Sequence, residues 1–319
     1  MCAIYVGYRI TPPLANKIIK RPNWYKSLFV DDNHTTYPDN VWYREHLERN
    51  FDIVNLGSSS AKFAFNYDGL PIKAMNWAQA PQTLTEDFIL LKGCHSILRK
   101  NGIVLITILP FTGINKPVTA KSLMRYIPNL HPQAFNGQPL KDEAYKLYDN
   151  PLLFGKPAIK AIIKYLLGKD TPAPKAIQPS TQPMNSEQLE ADAQRGSDGW
   201  KAQFNIQDLD APLTAENQEG RKVRVKLMQD LIDFCKERSY RPVYVIPPVT
   251  SHLQKRYTHT FINTYITSYL EEVDRHIPIL DYTKDEELTN DSLYFNSFFL
   301  NTAGAKQFTS RVVTDLQQL

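Results

Sequence analysis

The sequence predicts an α/β fold, a three-layer sandwich built on a mainly parallel sheet. Short apolar runs alternate along the chain with longer segments of helical periodicity, which is the pattern of strands joined by helical crossovers. The clearest strand, Ile103 to Leu109, is apolar throughout, as expected of a strand that is covered on both faces. A strand from Phe51 to Leu56 stops at Gly57, and one from Pro242 to Pro247 stops at a second proline.

The other elements follow from the same periodicities. Pro71 to Asn76 and Ile277 to Leu280 are predicted as short strands. A helix over 82–99 is expected to end at Asn101-Gly102 as a glycine C-cap. Apolar residues at helical spacing predict further helices over 37–50, 221–237, 261–275 and 303–316. The alternation is typical of a flavodoxin-like sheet.

The regular pattern breaks between the third long strand and the helix near residue 221. The stretch from Asp170 to Gly199 is rich in Pro, Gln and Ser, a composition that favours an exposed excursion over a core. One helical patch lies near 158–167. We therefore predict three parts, which are an N-terminal arm (1–36), an α/β core (37–110 and 219–319) and a cap-like or lid-like insertion (111–218).

Composition and charge exclude several classes of protein. Of the 319 residues, 42% are hydrophobic and 22% are charged, as in ordinary globular proteins. The net charge is only +4 and the basic residues are dispersed, so no nucleic-acid partner is predicted. Three widely spaced cysteines cannot complete a disulfide framework, and no Cys/His spacing predicts a metal site. We predict no cofactor.

The N-terminal residues bear on localisation. The apolar run from Cys2 to Gly7 is too short to span a bilayer or to form a signal-peptide core. The chain as given is therefore expected to be soluble. An extracytoplasmic protein clipped after a membrane anchor, with Arg9, Lys17 and Lys20 near the cut, is the alternative.

The chemistry is expected beyond the carboxyl ends of the strands, where open parallel sheets bind ligands. Gly57-Ser58-Ser59, the segment from Pro247 to His252 and the loop before the last helix all reach this edge. A serine at a tight strand-to-helix turn exposes its hydroxyl and offers its own N–H to an oxyanion, and a preceding glycine permits the turn. From this pattern alone, helix capping by the serines is favoured.

Three segments resemble the conserved blocks of the SGNH (GDSL-type) hydrolases. FDIVNLGSSSAKFAFNYDG is similar to their first block, whose signature is Gly-Asp-Ser or, in several cell-surface branches, Gly-Ser-Ser. MNWAQAPQTLTEDFILLKG resembles the asparagine-containing segment with its following helix. ILDYTKDEELTNDSLYFNSFFLNTAGAKQFTSRVV resembles the last block, with specific matches at Leu300-Asn301, Gly304-Ala305 and Phe308-Thr309. The resemblance implies a branch of bacterial esterases and O-acyltransferases that act on acylated cell-surface polysaccharides.

The same resemblance implies roles for individual residues. Ser59 falls on the nucleophile, and its backbone N–H on one oxyanion donor. Asn76 is the expected side-chain donor, with Gln79 and Gln82 as alternatives. A structural role for Asn76, bonding the turn at its own strand end, is equally compatible with the sequence.

The last block departs from the family at two positions. The aspartate of the family aligns with Asn296 and its histidine with Phe299. Phenylalanine cannot take a proton from Ser59, and asparagine cannot stabilise an imidazolium. A standard SGNH triad is therefore absent.

Another histidine could act as a displaced base. His252 follows the fourth long strand and lies near the right edge of the sheet. Asp32-Asn33-His34 resembles the Asp-x-His element that some polysaccharide O-acetyltransferases of the superfamily place upstream of their serine. The alternative for each of these histidines is a solvated or hydrogen-bonded loop residue without a catalytic role. The weaker candidates are His95, His131, His259 and His276.

Three hypotheses follow. The chain is a serine esterase or O-acyltransferase with a displaced base, or it is an inactive pseudoenzyme that binds a glycan or a membrane-bound biosynthetic partner. A nucleotide-dependent transferase is the third, although no Gly-rich phosphate motif supports it. Aromatic residues of the insertion are candidates for stacking on sugar rings or for anchoring the insertion, namely Tyr126, Phe135, Tyr145, Tyr148, Phe154, Trp200 and Phe204.

Overall fold

The computed structural model describes most of the chain after residue 48. The described residues are 49–79, 81–114, 132–149 and 184–319, with Leu123, Tyr126, Ile127, Leu130, Leu153, Ile159, Ile163 and 166–169. They fall in two compact units, one holding 88–97 and the described residues of 118–177, the other holding 50–87, 98–114 and 184–319. The predicted arm (1–36) and nearly all of the helix predicted over 37–50 lie outside the described residues.

The larger unit is built on one sheet. Its strands are β1 Phe51–Leu56, β2 Ala74–Asn76, β3 Leu98–Thr107, β4 Arg241–Ile246 and β5 Ile279–Asp281. All neighbouring strands pair in parallel, in the order β2-β1-β3-β4-β5. The predicted α/β class with a parallel sheet is confirmed. From β1 the chain steps first to β2 on one side and then to β3 on the other, so the strand order reverses between β1 and β3. A crevice is expected beyond their carboxyl ends.

The helices alternate with these strands. They are α1 Ser59–Ala64, α2 Leu84–Cys94, α3 Lys141–Asp149, α4 Ser186–Phe204, α5 Ala215–Glu237, α6 Ser251–Gln254, α7 His259–Ile262, α8 Ser268–Asp274 and α9 Thr302–Leu316. A π-helical turn, Asn263–Thr267, joins α7 to α8, and 3-10 turns span His95–Ile97, Pro132–Phe135 and Asp291–Leu293. Ile159, Ile163 and Leu166, within the predicted helical patch, are helical. Within the described ranges, no helix combines the length and apolar character needed to cross a membrane.

Helices cover both faces of the sheet. On one face, α1 and α9 pack over Ile53, Leu105 and Val245, and Phe308 of α9 lies fully buried at the centre. On the other face, α5 packs against β4 and α8 packs against α5. Burying each large apolar side chain contributes about 1.5–3 kcal/mol, so this two-sided core holds the strand ends rigidly in place.

The boundary between α2 and β3 differs from the prediction. The helix ends at Cys94, and β3 begins at Leu98 and runs through Asn101-Gly102. The predicted glycine C-cap is therefore wrong. Asn101 has φ +61°, a left-handed conformation that asparagine tolerates within the strand, and its N–H donates to the Ser239 carbonyl oxygen. A register shift between Phe51 and Ile53 accommodates the irregularity.

The Pro/Gln/Ser-rich stretch also differs from its prediction, because nearly half of it, from Ser186 onward, belongs to the long helix α4. Asn185 and Gln188 form a reciprocal capping box at its N-terminus. Leu189, Ala193 and Ser197 repeat every fourth residue and are buried, as is Phe204. This narrow stripe suffices to pack the helix, although the overall composition suggests an exposed excursion.

The close approach of α9 to the preceding loop gives a stability test. A Cβ at Gly304 would collide with the Leu293 carbonyl oxygen, whereas one at Gly196 in α4 would meet nothing within 4 Å. Gly304→Ala should therefore lower the free energy of unfolding by about 1–3 kcal/mol, and Gly196→Ala should raise it by about 0.5–1 kcal/mol. Urea unfolding of both variants checks this, and equal effects at the two sites would contradict it.

Candidate functional site

The serine turn joins β1 to α1 through a glycine whose backbone conformation other residues rarely adopt. Gly57 has φ +138°, a value that L-residues rarely adopt. A Cβ there would lie 2.7 Å from Ala61 Cβ and 3.0 Å from Thr107 Cβ. Only glycine therefore lets the chain turn sharply at this point, as the sequence predicts.

A buried carboxyl group holds the turn. The Gly57 N–H donates to Asp87 Oδ1 at 2.8 Å, and Gln82 Nε2 donates to the same oxygen at 2.5 Å. Desolvation raises the pKa of Asp87 to about 7, against the lowering effect of these two hydrogen bonds and with a smaller rise from neighbouring Glu86. Asp87 thus changes charge near neutral pH.

The three serines differ in their surroundings. Ser58 occupies the N-cap position of α1 but makes no side-chain capping bond, and its Oγ accepts from the Gln82 N–H at 3.2 Å. Ser59 is half-buried, and its hydroxyl makes no hydrogen bond with any described residue. Ser60 Oγ is buried without a partner among the described residues. The helix-capping interpretation is not supported for Ser58.

The serine turn lines a cavity of ≈320 Å³ at the edge of the sheet. Trp200 and Phe204 of α4 form one wall with Phe111, whose ring stacks on Phe204 at a centroid distance of 4.3 Å. Phe298 meets Trp200 edge-to-face, with centroids 5.6 Å apart. A partly open cavity that combines aromatic rings with polar groups is typical of a site for a small ligand.

Polar groups enter this cavity at a few points. Thr107 Oγ1, at the end of β3, is buried and has no partner among the described residues. Arg224 of α5 is 2% exposed and donates from Nη1 to Thr85 Oγ1 at 3.2 Å. Gln203 is exposed at the rim. Together with Asp87, these groups supply both hydrogen-bond donors and acceptors.

The loop before α9 brings Phe299, the residue that the sequence resemblance aligns with a histidine, to the cavity. Asn296 Oδ1 accepts from the N–H groups of Phe298 and Phe299, at 3.0 and 2.7 Å, and so shapes the loop. Phe299 lines the cavity together with Ser59 and packs on Phe63 with ring centroids 5.3 Å apart. No histidine lines this cavity among the residues described.

Asn76 does not fill the oxyanion role expected for it. Its Nδ2 donates to the carbonyl oxygens of Ala61, Lys62 and Phe65, at 3.0–3.3 Å, and its Oδ1 accepts from Asn55 Nδ2 at 2.8 Å. Asn76 is not among the cavity residues. It ties the end of α1 to β2, which is the structural alternative.

The two glutamines that are alternative candidates for the oxyanion donor lie in different surroundings. Gln79 is buried outside the cavity, and its N–H donates to the Gly57 carbonyl oxygen at 3.2 Å. Gln82 lines the cavity, but its side chain is engaged with Asp87. Gln82 therefore supports the turn through Asp87 and through its backbone bond to Ser58.

His252 does not line the cavity and is engaged elsewhere. Its Nδ1 lies 2.8 Å from Glu190 Oε2, and its Nε2 lies 3.3 Å from Asp291 Oδ2. Hydrogen bonds from His252 and Arg256 lower the pKa of Glu190 to about 2. The ring links α6 to α4 and to the Asp291–Leu293 turn, which is a structural role.

The other histidines do not meet Ser59 in the described part of the chain. His95, His259 and His276 are absent from the cavity lining, and the last two are exposed. Asp32, His34 and His131 lie outside the described residues.

Several cavity residues are not predicted by sequence reasoning. Asp87 reads as an acidic residue in the first turn of a helix, and nothing in the sequence indicates its bond to a glycine thirty positions earlier. Thr107, Arg224 and Phe298 carry no motif. Trp200 and Phe204 are the members of the predicted aromatic set that line the cavity. Tyr126 and Phe135 are fully buried in the other unit.

Comparisons with known proteins do not assign this chain to a family. No protein-family model matches this chain, and no curated protein matches it.

The buried carboxyl group gives a pH-dependence test. Its pKa is raised in the folded state from 3.8 to about 7, so the stability of the fold should fall as pH rises through this window and stay lower above it. The displacement corresponds to roughly 4 kcal/mol, which Asp87→Asn should remove while keeping an acceptor oxygen. Urea unfolding at several pH values between 4 and 8 gives the slope of the free energy of unfolding against pH for the wild type and for Asp87→Asn. The same slope in wild type and variant would refute the assignment.

Proposed function

We propose that the chain is an SGNH-type protein that has lost hydrolytic activity and binds an acylated cell-surface glycan in the cavity at the serine turn. The observation that carries the proposal is the pairing of Ser59 with Phe299 in one cavity. Three sequence blocks that resemble the family meet in this fold at the same sheet edge. The resemblance supports the proposed ancestry, and the cavity lining supports the proposed function.

The lining offers no described group suited to activate Ser59. Phe298 and Phe299 present apolar rings, which cannot accept a proton. Asp87 Oδ1 accepts the Gly57 N–H and the Gln82 amide, so this carboxyl group serves to hold the turn. Loss of the base of a serine triad lowers the rate by several orders of magnitude.

The same lining suits a sugar that carries an acyl group. Trp200 and Phe298 offer half-buried ring faces, which bind the apolar C–H faces of pyranose rings. Gln203 and Arg224 offer amide and guanidinium hydrogen bonds to hydroxyl or carbonyl oxygens. Ser60 and Thr107 also line the cavity, and their buried hydroxyls have no partner among the described residues.

The second candidate is a serine esterase or O-acyltransferase that takes its base from Asp32 and His34. The half-buried Ser59 hydroxyl, which makes no hydrogen bond in the described structure, favours it. The two candidates differ in what Ser59 does, because hydrolysis requires its hydroxyl and binding does not.

Binding and hydrolysis are measured together on O-acetylated glucan, xylan and mannan oligosaccharides. We expect binding of at least one of them, with no release of acetate beyond that of Ser59→Ala. Trp200→Ala and Phe298→Ala should weaken binding roughly tenfold or more, because each removes a ring face of the cavity. Isothermal titration calorimetry and an acetate assay give the two readouts.

Phe234→Ala is the matched control, because Phe234 is half-buried like Trp200 and Phe298 but lies against Arg238, outside the cavity. The affinity of this control variant for the oligosaccharide should equal that of the wild type. Acetate release that disappears in Ser59→Ala would overturn the binding proposal and support the esterase.

Restoring the two family residues tests the ancestry. Asn296→Asp/Phe299→His introduces a carboxylate and an imidazole at the positions aligned with the family dyad, and aspartate keeps the acceptor oxygen that shapes the loop. The double variant should hydrolyse 4-nitrophenyl acetate at least about tenfold faster than the same variant with Ser59→Ala, since a positioned base contributes ~10²–10⁴-fold. Equal rates for these two proteins would contradict the inferred alignment.

A further inference from the structure

Exposed aliphatic side chains are concentrated in one short stretch of the unit that holds the described residues of 118–177. Among all described residues, eight large hydrophobic side chains are exposed, and five of them lie between residues 153 and 167. These five form what we call the aliphatic patch, with exposed fractions from 51% to 67%, namely Leu153, Ile159, Ile163, Leu166 and Leu167. Single exposed apolar residues are ordinary on a protein surface, whereas a concentration of them indicates an interaction surface.

Three residues of the aliphatic patch share one side of a helix. Ile159, Ile163 and Leu166 are helical, and their spacing of four and then three residues places them in one row. Such a row normally faces the core of a globular protein. Here all three side chains are exposed, so the row is open to a partner.

The sequence around this row is basic. Residues 150–169 contain no aspartate, glutamate or arginine, and they contain four lysines, which are Lys156, Lys160, Lys164 and Lys169. A helix that combines an aliphatic row with a lysine-rich sequence is typical of a segment that lies in the interface of a membrane with anionic lipids. The charge of the stretch is therefore complementary to a surface of lipid phosphate groups.

The composition favours a lipid surface over a protein partner. The cores of protein–protein interfaces are enriched in aromatic residues and arginine and depleted of lysine. In this stretch the exposed row is aliphatic and lysine is the only charged residue. Lysine side chains suit a lipid interface, because their stems lie along apolar surface while the ammonium groups reach the headgroups.

We propose that the aliphatic patch docks on a membrane that contains anionic lipids. Ile159, Ile163 and Leu166 enter the boundary between headgroups and acyl chains, and the lysines of the stretch attract the lipid phosphate groups. The helix lies along the membrane surface in this arrangement. Docking is separate from the proposed glycan binding, because the aliphatic patch contributes no residue to the cavity at the serine turn.

Co-sedimentation of the full chain with lipid vesicles tests the proposal. The wild type should partition at least about tenfold more strongly onto vesicles of phosphatidylcholine with phosphatidylglycerol than onto vesicles of phosphatidylcholine alone, because the lysines add attraction only to the anionic surface. Raising the NaCl concentration to about 0.5 M should weaken this binding, since salt screens the attraction.

Two double variants separate the apolar and the charged contributions. Ile163→Ser/Leu166→Ser should lower partitioning onto the anionic vesicles about tenfold or more, because two aliphatic side chains no longer enter the lipid. Lys160→Gln/Lys164→Gln should lower it by a similar factor and reduce the dependence on NaCl.

Val223→Ser/Leu319→Ser is the matched control, because Val223 and Leu319 are exposed aliphatic residues of the other unit. This control variant should partition onto the vesicles as the wild type does. The serine substitutions of both double variants replace exposed side chains, so the urea midpoint of unfolding should stay that of the wild type.

Two results would overturn the proposal. The first is wild-type protein that fails to sediment with anionic vesicles, or that sediments equally with Ile163→Ser/Leu166→Ser. The second is a wild-type dimer in light scattering that dissociates in this variant and binds no vesicle, which would assign the aliphatic patch to a second copy of the chain.

Discussion

The hydrogen bond from the Gly57 N–H to the buried Asp87 carboxyl group is the constraint on which the site depends. At φ +138° this N–H leaves β1 and meets no neighbouring strand, so without a side-chain acceptor it would be buried and unpaired. Asp87 supplies the acceptor, and Gln82 bonds the same oxygen. The arrangement fixes the serine turn against the first turn of α2. The arrangement also buries a carboxyl group, and ionisation of this group destabilises the folded state above neutral pH.

The cavity follows from that turn and from two ties that position the facing wall. Asp192 of α4 accepts from both the N–H and the Oγ of Ser297, at 3.0 and 2.6 Å, and so joins the helix that carries Trp200 to the loop that carries the phenylalanines. His252 joins the same helix to α6 through Glu190. These two hydrogen-bonded links hold the aromatic wall in position, and the His252 imidazole is engaged in one of them outside the cavity.

The amino-acid sequence predicts those strands and helices that a local pattern of apolar residues specifies. The strands β1 and β4 and the second half of β3 have apolar runs that predict them, and Ser59 and Phe299 line the same cavity. The bond from Asp87 to Gly57 joins residues of different elements and leaves no periodic trace. Asn76 misleads for a related reason, because an asparagine at a strand end serves equally as an oxyanion donor or as a link to helix carbonyl oxygens. Only packing decides between the two.

Buried hydroxyls beside the cavity differ in whether the fold pairs them. Thr250, in the same part of the fold, donates its hydroxyl to the Ser297 carbonyl oxygen at 2.9 Å, so polar groups here are paired where the fold needs them. Ser60 and Thr107 have no such partner among the described residues, although both line the cavity. Tyr244 Oη, away from the cavity, also lacks a partner among the described residues, so an unpaired hydroxyl alone does not mark a ligand site. The features that support a binding site are instead the aromatic wall and the presence of Phe299 in the same cavity as Ser59.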